Sequence, residues 1–143
     1  MARGTAKRGF REVQQPFVAA ADLSALFAAY GDACAFTGVS LQEEARADPR
    51  GYLLAIGDDP ATSERTLLVP ASIEAIHAYE RGHLALGPRY NFLADLERID
   101  PELLERLNPT GHLRLPNDPA LRPSLEALAV HRAAFAAGAF PPD

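Results

Sequence analysis

The sequence predicts a single α+β domain, and three observations carry that expectation. Segments with helical spacing of apolar residues each come with a capping residue or a glycine stop. Between them lie apolar runs of four or five residues, such as "TLLV" and "YLLAI", too short for helices. Turn residues set these runs in pairs, which suits short hairpins between helices better than alternating βαβ units. The 143 residues, 48% of them hydrophobic, suffice for one core.

Taken in order, residues 1–15 read as a basic flexible tail and residues 16–143 as the domain. "ADLSALFAAYG" reads as a helix over 22–30, with Asp22 as N-cap, Leu23, Leu26, Phe27 and Tyr30 at helical spacing, and Gly31 as the stop. "CAFTGVSL" reads as a tight hairpin with Thr37 and Gly38 at its tip. "QEEARADPRG" is polar, with room for one helical turn. Residues 52–56 and 66–69 are strand candidates joined by the loop "GDDPATSER". "PASIEAIHAYERG" predicts a helix with Pro70 in its first turn, Ile73, Ile76 and His77 on one face, and Gly82 at its end. "HLALGPRYNFLA" reads as two strands about Gly87 and Pro88. "DPELLERL" is a helix capped by Asp100, with Pro101 in its first position. "GHLRLPNDPALRP" reads as a strand and a proline-rich connection. Ser124 caps a last helix that Gly138 closes.

Net charge is −5, but it is unevenly spread. Residues 1–11 hold Arg3, Lys7, Arg8 and Arg11 and no acid, so the rest, with ten basic and nineteen acidic residues, carries −9. Such a tail is either a solvated leader or an arm for nucleic-acid phosphates, which the acidic body repels. The N-terminal stretch has no apolar core of the kind a signal peptide needs, and no run reaches membrane-spanning length. A single cysteine suits a reducing compartment, so a cytoplasmic protein without membrane contact is expected.

Three stretches share an order and spacing. "AAYGDACAFTG" opens with a helix and a cysteine knuckle. "RTLLVPASIEAIHAYERGHLAL" runs from a strand through a helix to a strand. "GHLRLPNDPALRPSLEALAVHRAAF" ends with Leu-Pro, Arg-Pro and a helix bearing a late histidine. Together they resemble the HNH endonuclease family, in its bacterial branch with a Cys-Ala-Val-Thr-Gly knuckle, over roughly residues 20 to 137. The resemblance implies an HNH-like core, a short β-hairpin plus helix (ββα), wrapped by N- and C-terminal helices. It makes Cys34 a scaffold residue whose small, soft side chain packs in a knuckle. The rival reading, a reactive thiol, needs a nearby cation or helix N-terminus, and the sequence displays neither.

The departures from the family bear on chemistry. Relatives carry Ala-Ala-His-Ile on the first hairpin strand, and its histidine is the base that activates water; here Ala55 takes that place. The asparagine that orients the base matches Arg65, and the metal-binding histidine of the helix matches Glu74. A general base is worth about 10²–10⁴-fold in rate, and the reaction needs a metal at the leaving oxygen. Alanine accepts no proton, and arginine stays charged and repels a cation, though it suits a phosphate.

Asp58, Glu74 and His77 are the candidates for a relocated metal site, while the simpler reading sets His77 at the edge of the core. His83 is expected half exposed at the start of a strand and His112 in a turn. His131 is read as structural, bonded to a backbone group, and Arg122 with Pro123 as a brace for the last helix. The expectation is therefore an HNH-like pseudonuclease without catalytic residues or cofactor, acting by binding a protein or a nucleic acid. Arg65, Lys7, Arg8 and Arg11 are its candidate phosphate contacts. The alternatives are an active endonuclease with a divalent metal at the relocated site, and an adaptor subunit of a larger assembly with no nucleic-acid role. Oligomeric state stays open.

Overall fold

Leu23, Leu26, Phe27 and Tyr30 fall on one side of the first helix, and all four are buried. The computed structural model of the chain describes residues 20–140, so the tail residues Lys7, Arg8 and Arg11 lie outside the described residues. Helix α1 spans Ala20–Ala29. It is already formed at Ala20, so Asp22 sits within its first turn and not at the cap. Gly31, at φ +72°, ends it. The amides of Gly31 and Asp32 turn back to Ala28 O and Phe27 O, a Schellman closure that the left-handed backbone of a glycine permits.

The remaining elements are short. α2 (Gln42–Ala47) leads through a 3-10 turn, Pro49–Tyr52, into β1 (Leu53–Ala55). A second 3-10 turn, Arg65–Leu67, leads into β2 (Leu68–Pro70). β1 and β2 pair antiparallel, with Leu53 opposite Pro70 and Ala55 opposite Leu68. α3 (Ile73–Glu80) follows, then β3 (Leu84–Leu86) and β4 (Phe92–Ala94), a second antiparallel pair. α4 (Pro101–Arg106), a 3-10 turn at Pro119–Leu121 and α5 (Leu125–Ala136) complete the described chain. Five α-helices and two hairpins among the described residues make the fold α+β. None of the described helices is long and apolar enough to cross a membrane.

Both hairpin strands of the first pair begin later than the apolar runs suggest. Tyr52 is absorbed by the turn that Pro49 opens and Asp48 caps, and Thr66 and Leu67 by the second turn. Pro70 is the last residue of β2 and not part of a helix. It lacks an N–H, but its carbonyl accepts from Ala35 N at 2.9 Å. The cap of α3 is Ser72, whose hydroxyl accepts from Ala75 N at 3.3 Å.

The inward face of α3 is Ala75, Ala78 and Tyr79, in place of Ile73, Ile76 and His77. Ile73 and His77 are exposed, and Ile76 is half buried. Two alanines on the buried side let the helix axis come close to its neighbours, which a β-branched pair would prevent. Gly82, at φ +75°, closes the helix as expected, with His83 N bonded to Ala78 O. That closure carries His83 inward, so its side chain is buried and not half exposed. The expected strand after Gly111 shrinks to a single bridge between Asn91 and His112. Its amides go to two different partners, Leu113 N to Tyr90 O and Arg114 N to Ala35 O.

The core is one contiguous cluster fed by every layer, and the knuckle lies inside it. Cys34, Ala35 and Phe36 are wholly buried, and Phe36 stacks on Phe92 of β4 with centroids 6.0 Å apart. Phe36→Ala should therefore cost about 3–5 kcal/mol. Val39, at the same knuckle but 52% exposed, should tolerate alanine within about 0.5 kcal/mol. Urea unfolding of the two variants checks this; equal losses would mean that the knuckle does not bury Phe36.

Candidate functional site

Three polar contacts hold α5 against the body of the domain. Ser124 N donates to Thr66 O at 2.8 Å, while Ser124 Oγ caps the helix by accepting from Ala127 N at 3.2 Å. Arg132 Nη1 donates to Leu86 O at 2.7 Å. His131 Nε2 lies 2.7 Å from Tyr79 O, and its ring stacks on the Tyr79 ring with centroids 3.6 Å apart. The start of the helix is braced as well. Arg122 Nε donates to Pro116 O at 3.0 Å, and the Tyr90 hydroxyl to Pro123 O at 2.8 Å.

Between these fixed points α5 stands off from β1 and leaves a hollow of about 490 Å³. Ala55 and Ile56 form one wall, Leu67 and Tyr79 lie along it, and Ala127, Val130, His131 and Ala134 of α5 face it. Asp58, Glu80 and Glu126 are the carboxylates of the lining, which has no lysine or arginine. Tyr79 Oη and His131 Nδ1 are buried with no hydrogen-bond partner among the described residues. A carbonyl beside Nε2 makes that nitrogen the protonated one, so Nδ1 is left as an acceptor. Burial pushes the Tyr79 hydroxyl pKa up and the His131 pKa down, the bond to Tyr79 O opposing the latter.

The positions that sequence reasoning singled out are spread over separate depressions. Ala55 and Asp58 line the hollow. Arg65 borders a groove of about 540 Å³ that also contains Glu64 and Asp118. Glu74 and His77 share a groove of about 240 Å³ with Arg81, His83, Arg98 and Asp100. Asp58 is thus apart from Glu74 and His77, and the latter pair has two arginines for neighbours. Among the described residues no three His, Cys, Asp or Glu side chains are grouped as a metal would need. The α3 side chains that share a wall with Ala55 are Tyr79 and Glu80, not Glu74.

No family model, curated protein or solved structure matches the chain.

Cys34 answers differently from what its sequence neighbours suggest. Its thiol does meet a helix N-terminus: Ser72 N donates to Sγ at 3.2 Å, and the S–H faces Ser72 Oγ at 3.7 Å. Sealing inside the core keeps it from reagents. Sequence reasoning missed Tyr79, Glu80, Glu126 and Val130 as parts of one surface. The available signal was the spacing of Ala127, Val130, His131 and Ala134, which is i, i+3, i+4, i+7 on one helix face.

Unfolding exposes His131 to water, where it takes up a proton that the folded site disfavours. Its contribution to stability is whole above about pH 6.5 and falls as pH drops through the unfolded pKa towards the lower folded one. Thermal melts at about pH 7.5 and about pH 5 should show a larger loss in the native chain than in His131→Gln. Equal losses would remove His131 as the source. A thiol reagent should label Cys34 only on denaturation; labelling of the folded chain at the rate of a free thiol would contradict its burial.

Proposed function

We propose that this chain is an HNH-type scaffold that has lost its catalytic groups and works by binding, with a protein as its partner. The order β1, β2, α3 and the knuckle's bonds to Pro70 and Ser72 support the scaffold reading. Ala55 and Arg65, which the resemblance sets at the places of base and orienting residue, supply no proton acceptor, and Glu74, set at that of the metal ligand, is a single carboxylate. The observation that carries the choice of partner is the lining of the hollow beside Ala55. Its charged side chains are the three carboxylates Asp58, Glu80 and Glu126. Phosphates are repelled there, and cationic protein groups are attracted. Arg65 is the phosphate candidate within the described residues, and Glu64 and Asp118 offset it in its groove. The proposal includes no resident metal, and the same lining suits an adaptor role in an assembly.

Purified protein should leave supercoiled plasmid intact with Mg²⁺, Mn²⁺ or Zn²⁺. Cleavage that Glu74→Ala or His77→Ala abolishes after identical purification would overturn the proposal in favour of a relocated active site. Nucleic-acid affinity, where measurable at low salt, should come from Arg3, Lys7, Arg8 and Arg11. The log–log salt slope should then be near −0.9 per contact for at most about four contacts. Deleting residues 1–11 should abolish it. Tight, salt-insensitive binding by the shortened chain, weakened by Arg65→Glu, would make nucleic acid the partner instead.

A further inference from the structure

We propose that the hollow between β1 and α5 is a docking site for a helix of a partner protein, one with basic side chains beside a narrow apolar ridge. The inference rests on the binding reading above, but not on the family resemblance. Three features select this guest. First, beside Glu126 the α5 wall presents Ala127, Val130, His131 and Ala134, one face over two turns of helix. Small residues at its two ends let a second helix approach closely, while Val130 offers an apolar contact. Val130 is 66% exposed, so the middle of this face lacks cover from any described residue. Second, the volume of about 490 Å³ lies in the ~300–1,000 Å³ range of sites that enclose a ligand, and its walls continue onto an open helix face. That is the shape of helix-in-groove recognition, where side chains at i, i+3, i+4 and i+7 enter a trough.

Third, charge decides the flanks of the guest. Asp58, Glu80 and Glu126 come from three different elements yet border one hollow, without a lysine or arginine among its lining residues. A glutamate-flanked helix would meet like charge on each of these elements, and a lysine- or arginine-flanked helix opposite charge.

The test uses the full chain and two synthetic helical peptides with one apolar face, flanked by lysines in one and glutamates in the other. Fluorescence anisotropy at low salt should show the lysine peptide binding at least about tenfold tighter. Val130→Asp should weaken it by about tenfold or more, and so should the double change Glu80→Lys/Glu126→Lys. In the double variant the preference should pass to the glutamate peptide, a gain that misfolding cannot produce. Glu43→Lys/Glu44→Lys, on α2 away from the hollow, should leave the preference intact. A photo-crosslinker on the apolar face of the peptide should label residues within 55–58 and 126–134.

Equal affinity for both peptides, equal loss from the α2 variant, or labelling elsewhere would overturn the proposal. Binding that appears only after removal of residues 1–19 would give the hollow to the chain's own tail. Self-association that Val130→Asp abolishes would give it to a second copy. Either outcome also overturns it. Plasmid cleavage would sink the pseudonuclease reading without touching this one, and failure of peptide binding would do the reverse.

Discussion

Ala35 contributes one methyl group, yet its backbone ties together three segments that are distant in sequence. Its N–H donates to Pro70 O at 2.9 Å, at the end of β2. Its carbonyl accepts twice, from Arg114 N at 2.8 Å and from Asn108 Nδ2 at 2.9 Å. The neighbours extend the pattern: Phe36 O accepts from Asn108 N, and Cys34 Sγ from Ser72 N. A buried peptide group has no water to fall back on, so each of these bonds is needed where it stands. Deleting one partner leaves an orphan inside the core, and the cost exceeds what the bond is worth at a surface. The Cys-Ala-Phe sequence suits this position because its side chains fill the core while its backbone does the joining.

The constraint reaches the hollow through a short chain of contacts. Hairpins of three paired residues per strand, as here, are marginal alone and persist through what packs on them. The knuckle fixes the end of β2 and the first turn of α3, and Ala75 and Ala78 bring that helix down onto the core. Tyr79 then arrives at a set height, and its carbonyl and ring receive His131. Position and tilt of α5 follow from that bond, from Arg132 to Leu86 O and from Ser124 to Thr66 O. α5 is held through these polar contacts, through the fully buried Leu128 and through its packing on β3. A helix fixed in this way can stand clear of β1, and the hollow is the space that results.

Features set by neighbouring residues were legible in the sequence, and features set by tertiary partners were not. Asp100 and Ser124 cap where their spacing says they should, Gly31 and Gly82 stop their helices, and the turn after Gly87 joins two strands. Each rests on a local hydrogen bond or a local dihedral. The inward face of α3 was misjudged because helical spacing admits two overlapping stripes. Close approach to β3 and to the turn Pro49–Tyr52, which favours alanine over isoleucine, chooses between them. His83 is buried because a glycine turn swings it inward, and residues 111–115 pair with two separate segments where one strand was expected. The site shows the same division. Ala55 was singled out by its place in a motif, but Glu80, Val130 and Glu126 share its surface only after α3 and α5 are packed.

Charge and apolar area have different parts in that surface. Asp58, Glu80 and Glu126 are exposed, so water and salt screen them and, on the proposed reading, each does little to slow the departure of a seated guest. Their effect is on approach and selection, since the field of several like charges around one opening acts before contact is made. Affinity has to come from area removed from water at Leu67, Val130 and the alanines of α5. Part of that gain is spent on fixing the guest in place. Raising the salt should therefore slow association more than it speeds dissociation, whereas losing the Val130 side chain should act on dissociation. On the proposed reading, such a surface would discriminate among partners by sign of charge and hold them by shape, a division of labour that a phosphate-binding cleft would not show.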